Sequence, residues 1–118
     1  MSSNPNVTER LAIDPGAKDE FYAYYRRLTP IGYANALRAL LGMDYITDRL
    51  SRIRVPTLLV GGDRDPSLEP MKVIARKIRG SRLVVLSPAS HFANRDQPDA
   101  WNRAVLDFLA RVDARKRR

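Results

Sequence analysis

The sequence predicts an α/β fold built around a β-α-β-α unit with two parallel strands. Pro56-Thr57-Leu58-Leu59-Val60-Gly61 is a short, unbroken apolar run, entered through proline and left through Gly61-Gly62. Leu83-Val84-Val85-Leu86 is a second such run. Runs this short, bounded by breakers, read as strands buried on both faces of a parallel sheet. Between them Leu68, Met71, Ile74, Ala75 and Ile78 recur at three- and four-residue steps, and Gly80 supplies a helix stop. Strand, helix and strand within about 30 residues make a crossover unit, which sets the two strands parallel.

The flanking segments follow in order. Residues 1–18 are polar and punctuated by Pro5, Pro15 and Gly16, and read as a flexible lead-in. Phe21, Tyr22, Tyr24, Tyr25 and Leu28 form a short helical stretch that stops before Pro30. From Ile31 to Met43, the residues Ile31, Ala34, Leu37, Leu40 and Leu41 share one face of an amphipathic helix. Tyr45 to Arg54 is a connector with room for a helical turn around Thr47 to Leu50. Ser87-Pro88 ends the second strand. Asp96 or Asp99 can cap a last helix, on which Trp101, Val105, Phe108, Leu109 and Val112 share a face.

Composition excludes several functions. A chain of 118 residues, 44% hydrophobic and 29% charged, is one domain with a folded core. Without cysteine it has no disulfides, no thiolate metal site and no cysteine nucleophile. A single histidine, with two nearby aspartates, leaves any metal-ligand set thin. No apolar run approaches the ~20 residues of a membrane span, and Met1-Ser2-Ser3-Asn4-Pro5 lacks the character of a secretion signal. A soluble cytoplasmic protein with no membrane partner is expected. The net charge is +8, and half of that excess falls in residues 111–118. Residues 113–118 read as a solvated basic tail. No zinc-finger spacing or aromatic ribonucleoprotein signature accompanies it, so nucleic acid is not the favoured partner. A non-catalytic basic interaction module is nevertheless the competing reading.

Ligands of open parallel sheets gather beyond the carboxyl ends of the strands. Here Gly61-Gly62-Asp63-Arg64-Asp65-Pro66 follows the first strand, and Ser87-Pro88-Ala89-Ser90-His91-Phe92 follows the second with the only histidine. Taken singly, a histidine in a turn and an aspartate before proline are ordinary loop formers. Taken together, at matching ends of strands ~4.8 Å apart, a carboxylate from one loop reaches the imidazole from the other. A carboxylate holding a histidine in one tautomer is two-thirds of a hydrolase triad. Asp65 is the expected partner of His91, with Asp63 directed to the surface or to the loop backbone.

The segment from Ile53 through Pro66 resembles the one that carries the triad acid in α/β-hydrolases. Ser81-Arg82-Leu83-Val84-Val85-Leu86, then Ser90-His91-Phe92-Ala93-Asn94 and Gln97-Pro98-Asp99-Ala100-Trp101-Asn102, resembles their last strand, histidine loop and final helix. The branch it is most similar to is that of 3-oxoadipate enol-lactonases and related esterases, and Thr29 through Asp48 looks like the end of that branch's cap. The resemblance covers about residues 20–112. It implies a partial α/β-hydrolase fold at 19–112, with cap-end helices over 19–50 and core strands and helices over 55–112. It implies Asp65 as the triad acid, His91 as the general base, a small ester or lactone as substrate, and no cofactor or metal.

The family's nucleophile stands on a Gly-x-Ser-x-Gly elbow ahead of the acid and histidine. No such motif occurs in these 118 residues. Ser67 and Ser90 lie near the proposed pair, but neither is on a strand-to-helix elbow. The His-Gly oxyanion loop is also absent. The expectation is therefore the C-terminal half of a hydrolase, inactive alone. One edge of its first strand would be bare. Such a chain should be weakly stable, self-associate, or bind a complementary N-terminal half.

Overall fold

β1 (Leu58–Gly62) and β2 (Arg82–Leu86) pair as a two-stranded parallel sheet, in register from Leu58 opposite Arg82 to Gly62 opposite Leu86. This is a computed structural model, and it describes residues 4–117. Ahead of the sheet come α1 (Pro5–Ile13), α2 (Ala17–Tyr25), α3 (Pro30–Leu41) and a 3-10 turn at Thr47–Arg52. α4 (Leu68–Lys77) makes the crossover between the strands, and α5 (Ala93–Asp96) and α6 (Pro98–Lys116) follow β2. The predicted β-α-β-α unit is therefore present, with helices before it.

The segment expected as a loose lead-in is helical over Pro5–Ile13. Asn4 caps it by accepting from the amide of Asn6 at 3.0 Å, and Pro5 sits at the first helical position. A proline there starts a helix rather than breaking one, because its missing N–H is an orphan in any case. α3 starts the same way, with Thr29 accepting from Gly32 and Pro30 next to it. The expected basic tail continues α6 as far as Lys116, since Ala114, Arg115 and Lys116 are good helix formers. Met1–Ser3 and Arg118 lie outside the described residues. Neither Asp96 nor Asp99 caps α6; Gln97 holds that position without a side-chain cap bond, ahead of Pro98.

The core is small. Leu86, Ala89 and Ala93 are buried together, with Val60, Val84, Ala100 and Trp101 packed against them. The strands were expected to be covered on both faces. Instead Leu58, Leu59 and Val60 are only half-buried, and Val85 is 43% exposed. The apolar stripe of α3 is also uncovered, with Leu40 63% and Leu41 88% exposed. Among the described residues these apolar surfaces are left without cover.

Candidate functional site

Two loops leave the same end of the sheet and are stitched together by backbone. The amide of Asp63 donates to the carbonyl of Leu86 and that of Arg64 to the carbonyl of Ala89, each at 2.9 Å. Gly62 makes this approach possible, because a Cβ there would run into the carbonyl oxygens of Ala89 and Ser90. Asp63 closes the seam as expected, bonding the loop rather than the imidazole. Its Oδ1 accepts from the amide of Ala89 at 2.8 Å and its Oδ2 from the hydroxyl of Ser87 at 2.5 Å. Those two donors, the Ser87 hydroxyl first, hold the Asp63 carboxyl below its ordinary value.

The seam brings Asp65 and His91 face to face. Both carboxylate oxygens of Asp65 lie 3.2 Å from Nδ1 of His91. Asp65 is held in turn by the amide of Ser67, which donates to Oδ1 at 2.7 Å. Its side chain is 4% exposed, whereas that of His91 is 46% exposed. A carboxylate only accepts, so Nδ1 of the ring is the donor, and in a neutral imidazole so held Nε2 is the acceptor. This arrangement can orient an imidazole and stabilise its protonated form, two tasks of a triad acid.

A second carboxylate, Asp96, braces the histidine loop. Its Oδ2 accepts from both the amide and the hydroxyl of Ser90 at 2.6 Å, and that hydroxyl accepts from the amide of Phe92 at 3.1 Å. The residues on both sides of His91 are thus tied to one buried group. Oδ1 of Asp96 accepts from Nη1 of Arg10 at 2.8 Å, and Arg10 also pairs with Asp14 at 2.9 Å. No sequence signal points to Arg10; Ser90 is read only as lying near the proposed pair, and Asp96 only as one of two alternative caps for the last helix. The contact from Arg10 to Asp96 spans 86 positions, beyond any local periodicity.

His91 opens on a cleft of about 400 Å³ lined by Glu20, Phe21, Tyr24, Tyr25, Tyr33, Phe92 and Arg95. Its walls come from α2, α3, the histidine loop and α5. The rings are in mutual contact, with Phe21 edge-on to Phe92 at 5.4 Å and Phe92 edge-on to His91 at 5.7 Å. Arg95 pairs with Glu20 beside them.

No family model matches the chain. It is similar to 3-oxoadipate enol-lactonase 2 of Acinetobacter baylyi, 38% identical over 84 residues, or 70% of this chain and 31% of that protein. It is also similar to a proline iminopeptidase of Saccharolobus solfataricus, 32% identical over 68 residues, or 57% of this chain and 22% of that one. The crystal structure of a hydrolase from Pseudomonas aeruginosa superposes with a TM-score of 0.53 at 26% identity, covering 92% of this chain and 45% of that one. Over its C-terminal part, the chain is an α/β-hydrolase relative. It spans less than a third of the length of either curated relative. As an α/β-hydrolase relative it presents the strand ends that carry Asp65 and His91, without a Gly-x-Ser-x-Gly elbow in its 118 residues. Ser90 is no substitute, since it is fully buried and its hydroxyl is committed to Asp96. Among the described residues no group of His, Asp or Glu could hold a metal ion, and no helix is long and apolar enough to cross a membrane.

Proposed function

We propose that this chain carries the acid–base half of an ester- or lactone-hydrolysing site. Asp65 orients His91, and Nε2 of His91 takes the proton from a nucleophile supplied from outside these 118 residues. The same imidazole then returns the proton to the leaving alcohol, while Asp65 stabilises its charged form. The aromatic cleft beside His91 holds the apolar part of the substrate. The single observation that carries this reading is the 3.2 Å approach of both Asp65 oxygens to Nδ1. That the relatives include an enol-lactonase supports the substrate class.

A base without its nucleophile and oxyanion donors keeps little catalytic power, because those parts act as a unit. The chain alone is therefore expected to be inactive, and a complementary hydrolase half is its proposed partner. The hydrolase from Pseudomonas aeruginosa has more than half of its length outside the match, which is the size of partner required. The exposed stripe of α3 and the half-covered strands are surfaces for it.

The test is an aryl-ester assay of the chain alone and after mixing with an N-terminal hydrolase half bearing the elbow. Turnover is expected only in the mixture, and His91→Ala should lower it by about 10⁴-fold or more. A mixture that turns over equally well with His91→Ala removes the assignment.

A further inference from the structure

The other end of the sheet carries a separate feature. Gly80 and Arg82 at the entry to β2, Pro56 ahead of β1, and Arg111 and Arg115 of α6 line a cavity of about 130 Å³. Five strand residues, about 16 Å of sheet, separate it from the end that carries His91. Arg82 is rooted by its backbone amide, which donates to Thr57 at 2.9 Å, yet its guanidinium Nη1 is withdrawn from water with no acceptor among the described residues. None of the three arginines is in an ion pair among the described residues.

Three unpaired guanidiniums at one cavity need an explanation. Arg111 and Arg115 are four residues apart on one helix, a spacing at which like charges repel. The negative end of the α6 dipole accounts for a cation at Arg115. It does not account for Arg82, which comes from another element. An anion in the cavity removes the repulsion between the guanidiniums that line it. The helix end opposes such an anion with about half a charge, against three full positive charges.

We propose that Arg82, Arg111 and Arg115 form a binding site for a phosphoryl group. Planar guanidinium forks match its oxygens in pairs, and a dianion balances three cations better than a carboxylate does. The cavity takes one phosphoryl group and leaves the rest of a larger molecule outside. The site is independent of the reading of Asp65 and His91. Its ligand is a free phosphate or phosphate ester, or the backbone of a nucleic acid.

The experiment is NMR titration of the whole chain at fixed ionic strength, exchanging chloride for inorganic phosphate in one arm and adding a short single-stranded oligonucleotide in the other. Saturable shifts are expected at the amides of Gly80 and Arg82. Arg111→Gln with Arg115→Gln, both exposed on α6, should weaken them by about tenfold or more, and Arg82→Gln should act in the same direction. Saturation by inorganic phosphate alone assigns a small phosphate ligand. Tighter saturation of the same amides by the oligonucleotide assigns the nucleic-acid backbone. Shifts that stay linear, that chloride reproduces, or that survive the double substitution overturn the site.

Discussion

Asp96 gives one oxygen to Arg10 and the other to Ser90, with its own side chain fully out of water and that of Arg10 only 8% exposed. Removing Arg10 strands the Asp96 charge out of water, and removing Asp96 leaves the buried guanidinium with only the half-exposed Asp14. Asp96→Asn is therefore expected to cost about 3 kcal/mol, read as a lower urea midpoint. Arg10→Ala in the Asp96→Asn background should cost much less than it does alone, because the pair is already broken. Asp63 makes a different kind of prediction. Its folded carboxyl is held low by the Ser87 hydroxyl and the Ala89 amide, so its contribution to stability is complete above the ordinary value of 3.8 and is lost as pH falls through the lowered one. Asp63→Asn should flatten the acid limb of a plot of melting temperature against pH. An acid limb of unchanged slope in that variant would assign the effect to other carboxylates.

Among the elements, the seam between the two loops has the least tolerance. Gly62→Ala sets a methyl group against two backbone carbonyls that cannot swing aside, and should cost about 2–4 kcal/mol. The imidazole should then lose its contact with Asp65, visible as a changed ¹⁵N tautomer signature of the single histidine. α3 behaves oppositely. Leu41→Ser touches almost nothing in the lone chain and should leave its stability within about 0.5 kcal/mol, while weakening association with a partner half. These contrasts bear on what the sequence discloses. Short apolar runs at Leu58–Val60 and Leu83–Leu86 reveal the strands, and parallel neighbours at one end reveal that Asp65 meets His91. α1 was hidden because its capping pair, Asn4-Pro5, has the same composition as a loop. The brace from Arg10 to Asp96 was hidden because a contact across the whole chain leaves no periodic trace in it. Local chemistry is legible where a motif and its partner lie close in sequence or at matching strand ends.

For the molecule as a whole, size and surface point the same way. The radius of gyration is 16.9 Å, against about 13–14 Å for a compact domain of this length. The accessible surface is 9099 Å², against about 6,500 Å² for a compact monomer of this mass. The excess, about 2,600 Å² on this chain, corresponds to about 5,200 Å² counted over two partners, the upper end of obligate interfaces. Sedimentation equilibrium should therefore give a mass that rises with concentration, and adding a complementary half should replace that rise with a single sharp species. A strict monomer with a sharp, concentration-independent melt would count against this. The stitching of the two loops has one more consequence. Because the bonds that aim the imidazole all close within this one polypeptide, that unit needs no template from elsewhere and arrives ready-made.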